Sequence, residues 1–280
     1  MYDTLEEING AILHHGKNHN RVYLMQTEQN DWNSLIPELE SIAREKSYDK
    51  ILGRLPEEGK EVFQLNGYQV EAEIPGLYNG EKPGYFLADY LNEERSYCSK
   101  QDLLTIESVK SIALAANTTA EDSYFDLPRK LHVKQLTEND LFVMARLHES
   151  AFKSYPFPID KVEYLLELLQ RNHRFYGLFQ DDELLVSAII KIHEKESNVE
   201  IVDFVTHPDY NGQNLSYYLV QEIKEDIRNS EYKTIYSLVR ATSYGLNITF
   251  SKHGFLLGGT LLNNTVIRDT MESMNVWYSN

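Results

Sequence analysis

Two carboxylates, Glu200 and Asp203, lie three residues apart in the run Glu-Ile-Val-Asp-Phe-Val-Thr that ends at Pro208. β-Branched and aromatic residues dominate 199–206, so the run reads as a strand. A carboxylate in a central strand must be paired, hydrogen-bonded or kept for chemistry, since an unpartnered buried charge is costly. The chemistry it suits is general acid–base work. With a side-chain period of two, Glu200 and Asp203 point to opposite faces, so one pocket receives only one of them. Either is a candidate base at this point; an edge charge for Glu200 and a structural acceptor for Asp203 stay open. Pro208 stops the strand, and Asn211-Gly212 makes a turn where positive φ is cheap. A helix follows, with Leu215, Tyr218, Leu219, Ile223 and Ile227 at three- and four-residue spacings. A strand that passes through a short loop straight into a helix presents free backbone N–H groups. The stretch Tyr210, Asn211, Gly212, Gln213, Asn214, Leu215, Ser216 is thus a candidate anion site.

These residues must be held by a larger frame. With 280 residues, 42% hydrophobic and 25% charged, the chain is long enough for two ordinary cores. A formal charge of -16 argues against nucleic acid and favours a cationic substrate. The single Cys98 excludes an intrachain disulfide framework and a metal-spaced cysteine set. His14, His15 and His19 flank a turn marked by Gly16, Asn18 and Asn20, with no acidic ligand at a matching spacing, so no metal is expected. No apolar run suits a signal peptide or a membrane span, which makes a cytoplasmic protein with no membrane partner the expectation.

Taken in order, 3–15 reads as a short helix or a strand edge, and 21–25 as a strand. A helix over 32–46, a strand over 48–55, a helix over 57–65, a strand over 68–74, a loop over 75–80 and a strand over 85–90 follow. Residues 92–129 form a connector with helical potential over 103–116. Beyond Pro128 come a strand at 131–135, a helix capped by Thr137 and Asp140, a helix over 162–169, a hairpin of 175–179 with 184–193, a strand over 233–239, a helix over 244–252 and a closing strand at 276–278. Phe63…Gly67-Tyr68 and Phe250…Gly254-Phe255 share one spacing, so the first third reads as a degenerate copy of the second half. The expected units are 1–95, a connector 96–129 and a main domain 130–280.

The strand, loop and helix around 200–227 resemble the Gcn5-related N-acetyltransferases (GNAT), whose signature here is R/Q-x-x-G-x-G/A. Gly212 matches, whereas Asn211 stands for the arginine and Asn214 for the second glycine. The resemblance implies a mixed α/β (α+β) GNAT fold, preceded by the half-GNAT-like N-terminal unit, and acetyl-CoA as cosubstrate with no metal. The backbone of Phe204, Val205 and Thr206 would pair with the pantetheine arm, the loop from Tyr210 to Ser216 would hold the pyrophosphate, and Asn247 and Phe250 would lie beside the coenzyme. Relatives often place a glutamate base where Glu200 stands, which favours it over Asp203 as the base, and often carry a tyrosine at the position of Phe250 to protonate the leaving thiolate. Tyr244 is the candidate replacement, although the thiolate can also leave unprotonated.

Segments 74–80, 154–159, 243–250 and 272–278 are similar to one subgroup, the β-lysine N6-acetyltransferases, over nearly the whole chain. That likeness implies β-lysine as the small-molecule acceptor and N6-acetyl-β-lysine, an osmolyte in some archaea, as product. Its ammonium has a pKa of ~10.4, so deprotonation at neutral pH costs about 4–5 kcal/mol, which a carboxylate acting through water would assist. Tyr78, Tyr155 and Phe157 would line the acceptor pocket. Among Arg146, Arg174 and Arg240, Arg240 is the first choice for the acceptor carboxylate. Another amine or polyamine acceptor, or a non-catalytic acyl-CoA sensor, remains open, as does monomer against homodimer.

Overall fold

Period-two hydrophobic runs alternate with amphipathic segments, and the computed structural model joins the runs into one thirteen-stranded mixed sheet. The structure describes residues 3–27, 31–117, 126–151, 157–267 and 269–280. The first part contains β1 (Thr4–Ile8), β2 (Ala11–Gly16), β3 (Arg21–Thr27), α1 (Trp32–Lys46), β4 (Lys50–Pro56), α2 (Glu57–Leu65), β5 (Gln69–Tyr78) and β6 (Lys82–Tyr90). The short α3 (Glu93–Ser96) and α4 (Lys100–Ala115) bridge to the rest. There follow β7 (Leu131–Leu136), α5 (Leu141–Ala151), α6 (Val162–Leu169), β8 (His173–Gln180), β9 (Glu183–His193) and β10 (Asn198–Thr206). The chain closes with α7 (Ser216–Arg228), β11 (Thr234–Arg240), α8 (Tyr244–Lys252), β12 (Leu256–Ile267) and β13 (Thr270–Ser279).

The sheet runs β1-β2-β3-β4-β6-β5-β12-β13-β11-β10-β9-β8-β7. Its two halves mirror each other about the β5–β12 seam. In each, a parallel pair (β3 with β4, β10 with β11) is followed by two antiparallel neighbours. The strands that meet at the seam are therefore equivalent ones. They approach closely at Gly259↔Ala72, where a Cβ on Gly259 would stand 2.2 Å from the Glu71 carbonyl oxygen. Only glycine fits there.

Each half has its own core. Leu24, Leu35, Leu39, Ile51 and Phe63 pack α1 and α2 onto the first half. Ile201, Leu219, Ile223, Phe250 and Trp277 seat α7 and α8 on one face of the second. Met144, Leu165, Phe175, Ile189 and Val205 seat α5 and α6 on the other. A further cluster of Tyr23, Ile74, Phe86, Tyr236, Leu261 and Val276 spans both halves.

Several expectations are corrected. Residues 3–15 form two strands, paired from Thr4↔His15 to Ile8↔Ala11. The expected loop at 75–80 is mostly strand: β5 continues through Pro75 and Gly76 to Tyr78, with a register break after Ile74, and the turn begins at Asn79. The connector holds α4, whose Ala113 joins the α7–α8 core. The long β12 was not expected at all, because Gly258-Gly259 and Asn263-Asn264 interrupt its hydrophobic alternation.

Candidate active site

The register of β10 against β9 decides what faces the site. Glu200 stands opposite Lys191 and Ile201 opposite Ile190, but the next pair is Asp203↔Ile189, with Val202 bulged out. One extra residue reverses the alternation. Glu200 and Asp203 therefore share a face, which corrects the expectation that they point apart. Both are buried at the edge of one cavity of about 990 Å³.

The cavity runs from the anion loop to the first half of the chain. β10 pairs with β11 only from Asn198↔Thr234 to Ile201↔Ser237, and there the strands part. Beyond that point Phe204, Val205 and Thr206 remain bonded to β9 on one edge and line the cavity on the other. Tyr210, Asn211, Gly212, Asn214, Leu215 and Ser216 continue its wall. Gly212 and Asn214 both have positive φ, 79° and 57°, so asparagine takes the second special conformation in place of glycine. Within the described residues nothing accepts from the N–H groups of Gly212, Asn214, Leu215 or Ser216. The loop is thus a nest of free donors at a helix N-terminus, suited to a pyrophosphate.

At the far end Glu200 is the terminus of a buried polar chain. Arg54, from the first half, donates through Nη2 to both oxygens of Glu196 (3.0 and 2.8 Å) and through Nη1 to the Tyr236 hydroxyl (2.7 Å). Tyr236 in turn donates to Glu200 Oε2 at 3.0 Å, and His193 Nε2 lies 3.6 Å from the same oxygen. Burial alone would raise the Glu200 carboxyl. The His193 imidazole and the charges of Lys191 and Arg54 outweigh it and lower the pKa to about 2. Burial holds His193 below its ordinary value, so at neutral pH it serves Glu200 as a polar neighbour while Lys191 and Arg54 supply positive charge. Asp203 is engaged differently: its Oδ2 meets His148 Nε2 at 2.7 Å, and His148 Nδ1 lies 2.9 Å from the Met144 carbonyl. Burial opposes charge on His148, but Asp203 overcomes this and raises its pKa.

Several expected site residues lie elsewhere. Tyr244 is half exposed, its hydroxyl 3.2 Å from Ser108 Oγ on α4 and outside the cavity lining. Asn247 is interior: Nδ2 donates to the carbonyls of Arg240 and Ser243, and Oδ1 accepts from Asn275 and Trp277, which ties α8 to β11 and β13. Gln213 turns to a separate depression beside Pro128 and Gln180. Tyr78 packs in the inter-half cluster near Arg54 and Glu196, away from the cavity. Phe250 lines the cavity edge-on to Phe204, and Phe157 lines it against His14 and Tyr164. Arg240 reaches the cavity but faces Glu272 at 3.8 Å. Arg174 lies 3.6 Å from Asp226, and Arg146 is on the surface. Tyr155 lies outside the described residues.

The structure adds residues that the sequence reading did not assign: Arg21 and His14 from the first half, Asn264 from β12 and Lys191 from β9 all line the same cavity. The available signal was a cation inside an apolar strand run, as at Arg21, Arg54 and Lys191. The histidines, expected to lack an acidic neighbour, do have one: Asp3, His14 and His19 bring ligand-type atoms within 4.8 Å of one another. Their lone pairs are largely committed. Asp3 accepts from the N–H groups of Asn18 and His19, and His19 Nδ1 accepts from Val266 N–H, so its Nε2 carries the proton. This set fits hydrogen bonding better than metal ligation.

The mirrored mixed sheet, the parted β10–β11 pair and the donor-lined loop define an acetyltransferase of the GNAT type, and the acetyltransferase (GNAT) family model matches residues 142–255. The chain is 30% identical over 278 residues, 99% of its own length and 98% of the other's, to the β-lysine N(6)-acetyltransferase of Methanococcus maripaludis. It is 25% identical to the β-lysine N(6)-acetyltransferase of Methanosarcina mazei, covering 85% of this chain and 94% of that one. It is also 24% identical to the N-acetyltransferase YodP of Bacillus subtilis, covering 86% of each. The chain belongs to the β-lysine N(6)-acetyltransferase family within the GNAT superfamily and is an acetyl-CoA-dependent N-acetyltransferase. Among the described residues no helix is long and apolar enough to cross a membrane.

Proposed function

We propose that this enzyme transfers the acetyl group of acetyl-CoA to the terminal N6 amine of β-lysine, giving N6-acetyl-β-lysine. The observation that carries the reading is one cavity with the open edge of β10 and the donor loop at one end, and an ionised, buried Glu200 beyond them. The N–H groups from Gly212 to Ser216 bind the pyrophosphate, and the backbone of Phe204–Thr206 aligns the pantetheine arm. Glu200 attracts the terminal ammonium. Its low pKa makes it a better holder of the cation than of the proton, so the proton leaves by way of water to solvent. The freed nitrogen bonds to the acetyl carbon as the C–S bond breaks; its second proton then passes to water, and the thiolate, with an ordinary pKa of ~8.5, departs without a dedicated acid. That agrees with Phe250 at the cavity wall and Tyr244 outside it. Arg21 and Lys191 in the same chamber oppose a polyamine, which has no negative group to offer them.

The test is release of free coenzyme A with β-lysine, α-lysine, spermidine and a lysine-bearing peptide as acceptors. Turnover should be highest with β-lysine and fall roughly 10–100-fold in Glu200→Gln, as expected when a charge-assisted contact to the ammonium is lost. Highest turnover with spermidine or the peptide would overturn the acceptor assignment. Undiminished turnover in Glu200→Gln would overturn the role of Glu200.

A further inference from the structure

The end of the cavity remote from the donor loop is built by the first half of the chain and by a kink in β12. Between Leu261 and Thr265 the β12–β13 register breaks, and three successive carbonyls turn toward the first half. Leu262 O accepts from Lys50 (2.7 Å), Asn263 O from Arg95 (2.8 Å) and Asn264 O from Arg21 (2.6 Å). Lys50 also pairs with Glu71 at 2.8 Å. Arg21 has no carboxylate in direct contact: Asp3 and Glu71 act on it only through space, and its guanidinium lies 5.2 Å from the centre of the Tyr23 ring. Among the described residues its guanidinium makes one hydrogen bond, to Asn264 O, and no ion pair, and its Nε is buried without a partner. Two more buried polar atoms beside it are also unpartnered: His14 Nε2 and Asn264 Oδ1. All three side chains line the cavity, at 5%, 6% and 3% exposure for Arg21, His14 and Asn264.

Leaving a guanidinium, an imidazole nitrogen and an amide oxygen unsatisfied together is costly, unless something that enters the cavity satisfies them. Burial lowers Arg21 to about 10 and His14 to about 3, so at neutral pH the first is a cation and the second an uncharged ring that can accept a hydrogen bond. The complement is an anion next to a donor. Asp3, the nearest internal carboxylate, already accepts from Asn18 and His19 N–H.

We infer that Arg21, His14 and Asn264 form a subsite for the carboxylate–amine end of an amino-acid acceptor. Arg21 binds the carboxylate through Nε and its free Nη, while His14 Nε2 and Asn264 Oδ1 accept from the neighbouring ammonium. This assignment rests on the acceptor reading above and extends it. Glu200 takes the amine that is acetylated, and the first half of the chain reads the other end of the molecule. The degenerate half-domain thereby becomes part of the specificity machinery.

Three acceptors separate the parts: β-lysine, 1,4-diaminopentane (its decarboxylated counterpart) and 6-aminohexanoate, which keeps the carboxylate but lacks the inner amine. Arg21→Gln should lower kcat/KM for β-lysine and 6-aminohexanoate roughly 10–100-fold, mainly through KM, and leave 1,4-diaminopentane within about threefold, as expected for lost charge-assisted hydrogen bonds. Arg21→Lys should recover part of the loss. Asn264→Leu should weaken β-lysine and spare 6-aminohexanoate. Acetyl-CoA binding and the thermal midpoint, measured on each variant, show that the fold is intact. Equal losses on all three acceptors in folded Arg21→Gln would overturn the subsite and leave the acceptor reading standing. A wild-type enzyme that acetylates the diamine but neither carboxylate-bearing acceptor would overturn both.

Discussion

Arg54 links the first half, through Tyr236, to the buried carboxylate of Glu200, and its replacement by methionine has consequences that can be worked out. Arg54 is buried, as is Glu196, and the two share a bidentate contact at 3.0 and 2.8 Å. Arg54→Met leaves the Glu196 carboxylate with Asn198 Nδ2, 3.0 Å away, as its side-chain donor among the described residues. Breaking a buried pair from one side costs about 3–5 kcal/mol. For a chain of 280 residues that unfolds cooperatively, this corresponds to a fall of roughly 5–8 °C in Tm. Adding Glu196→Met removes the stranded charge and should return most of the loss, since an apolar pair of similar volume often replaces a buried ion pair without penalty. The same change withdraws one of the charges that hold Glu200 down. The Glu200 pKa therefore rises, and the acid limb of kcat/KM moves to higher pH in the single and double variants alike. Denaturant unfolding reads the first effect, and a pH–rate profile carried down to about pH 2–3, within the titration range of Glu200, reads the second. A single variant within about 1 kcal/mol of wild type, or a double variant no more stable than the single one, would refute the reasoning about the pair. An unmoved acid limb would refute the coupling to Glu200.

Two further outcomes follow from the site. The folded pKa of Glu200, about 2, lies below its ordinary value of 4.5, so its contribution to stability is present above pH 4.5 and disappears as pH falls toward 2. Glu200→Gln should flatten the fall in unfolding free energy across that window by about 3 kcal/mol, as measured by urea melts, and an unchanged slope would contradict the assigned shift. In the loop, Gly212 has a φ of 79° with nothing within 4 Å of an added Cβ, so Gly212→Ala acts through backbone strain alone. A cost of about 1–2 kcal/mol predicts coenzyme A binding five- to thirtyfold weaker by calorimetry, and wild-type affinity would show that the loop does not hold the ligand in this conformation.

Local signals were legible where the chain punctuates itself. The helices over 32–46, 57–65, 162–169 and 244–252 coincide with α1, α2, α6 and α8, since caps and turn residues bound them: Asp31 accepts from Ser34 N–H, and Asn66-Gly67 closes α2. The donor loop was legible because Pro208 and Asn211-Gly212 have no other local reading. What escaped is non-local or unmarked. Val202, β-branched and apolar, carries no sign that it will bulge, yet it puts Glu200 and Asp203 on one face. Arg21 and Asn264 meet through a kink in a strand whose Gly-Gly and Asn-Asn pairs hid the strand itself. Tyr244 and Asn247 were placed by likeness to a helix position, and a likeness of position does not specify which way a side chain turns.

The mirrored sheet suggests why the first half is kept although its sequence between β3 and α1 carries no glycine. At the place equivalent to Gly212–Ser216 stands Asp31, which caps α1 with its own side chain and puts negative charge where a pyrophosphate would bind. Freed from that role, the half contributes instead the ends of its strands. Arg54 reaches Tyr236 and Glu196, Arg21 and His14 line the chamber, and Lys50 holds the Leu262 carbonyl of β12 outside that lining. A lone GNAT half would leave Glu200 without its Arg54–Tyr236 support and the cavity open on the acceptor side. Under the proposed reading the first half walls the acceptor side of the cavity, so that Glu200 and Arg21 set a negative and a positive group in one chamber. That is the shape and charge pattern of a diamino acid, and it arises from fusing two equivalent sheet edges at Gly259 and Ala72.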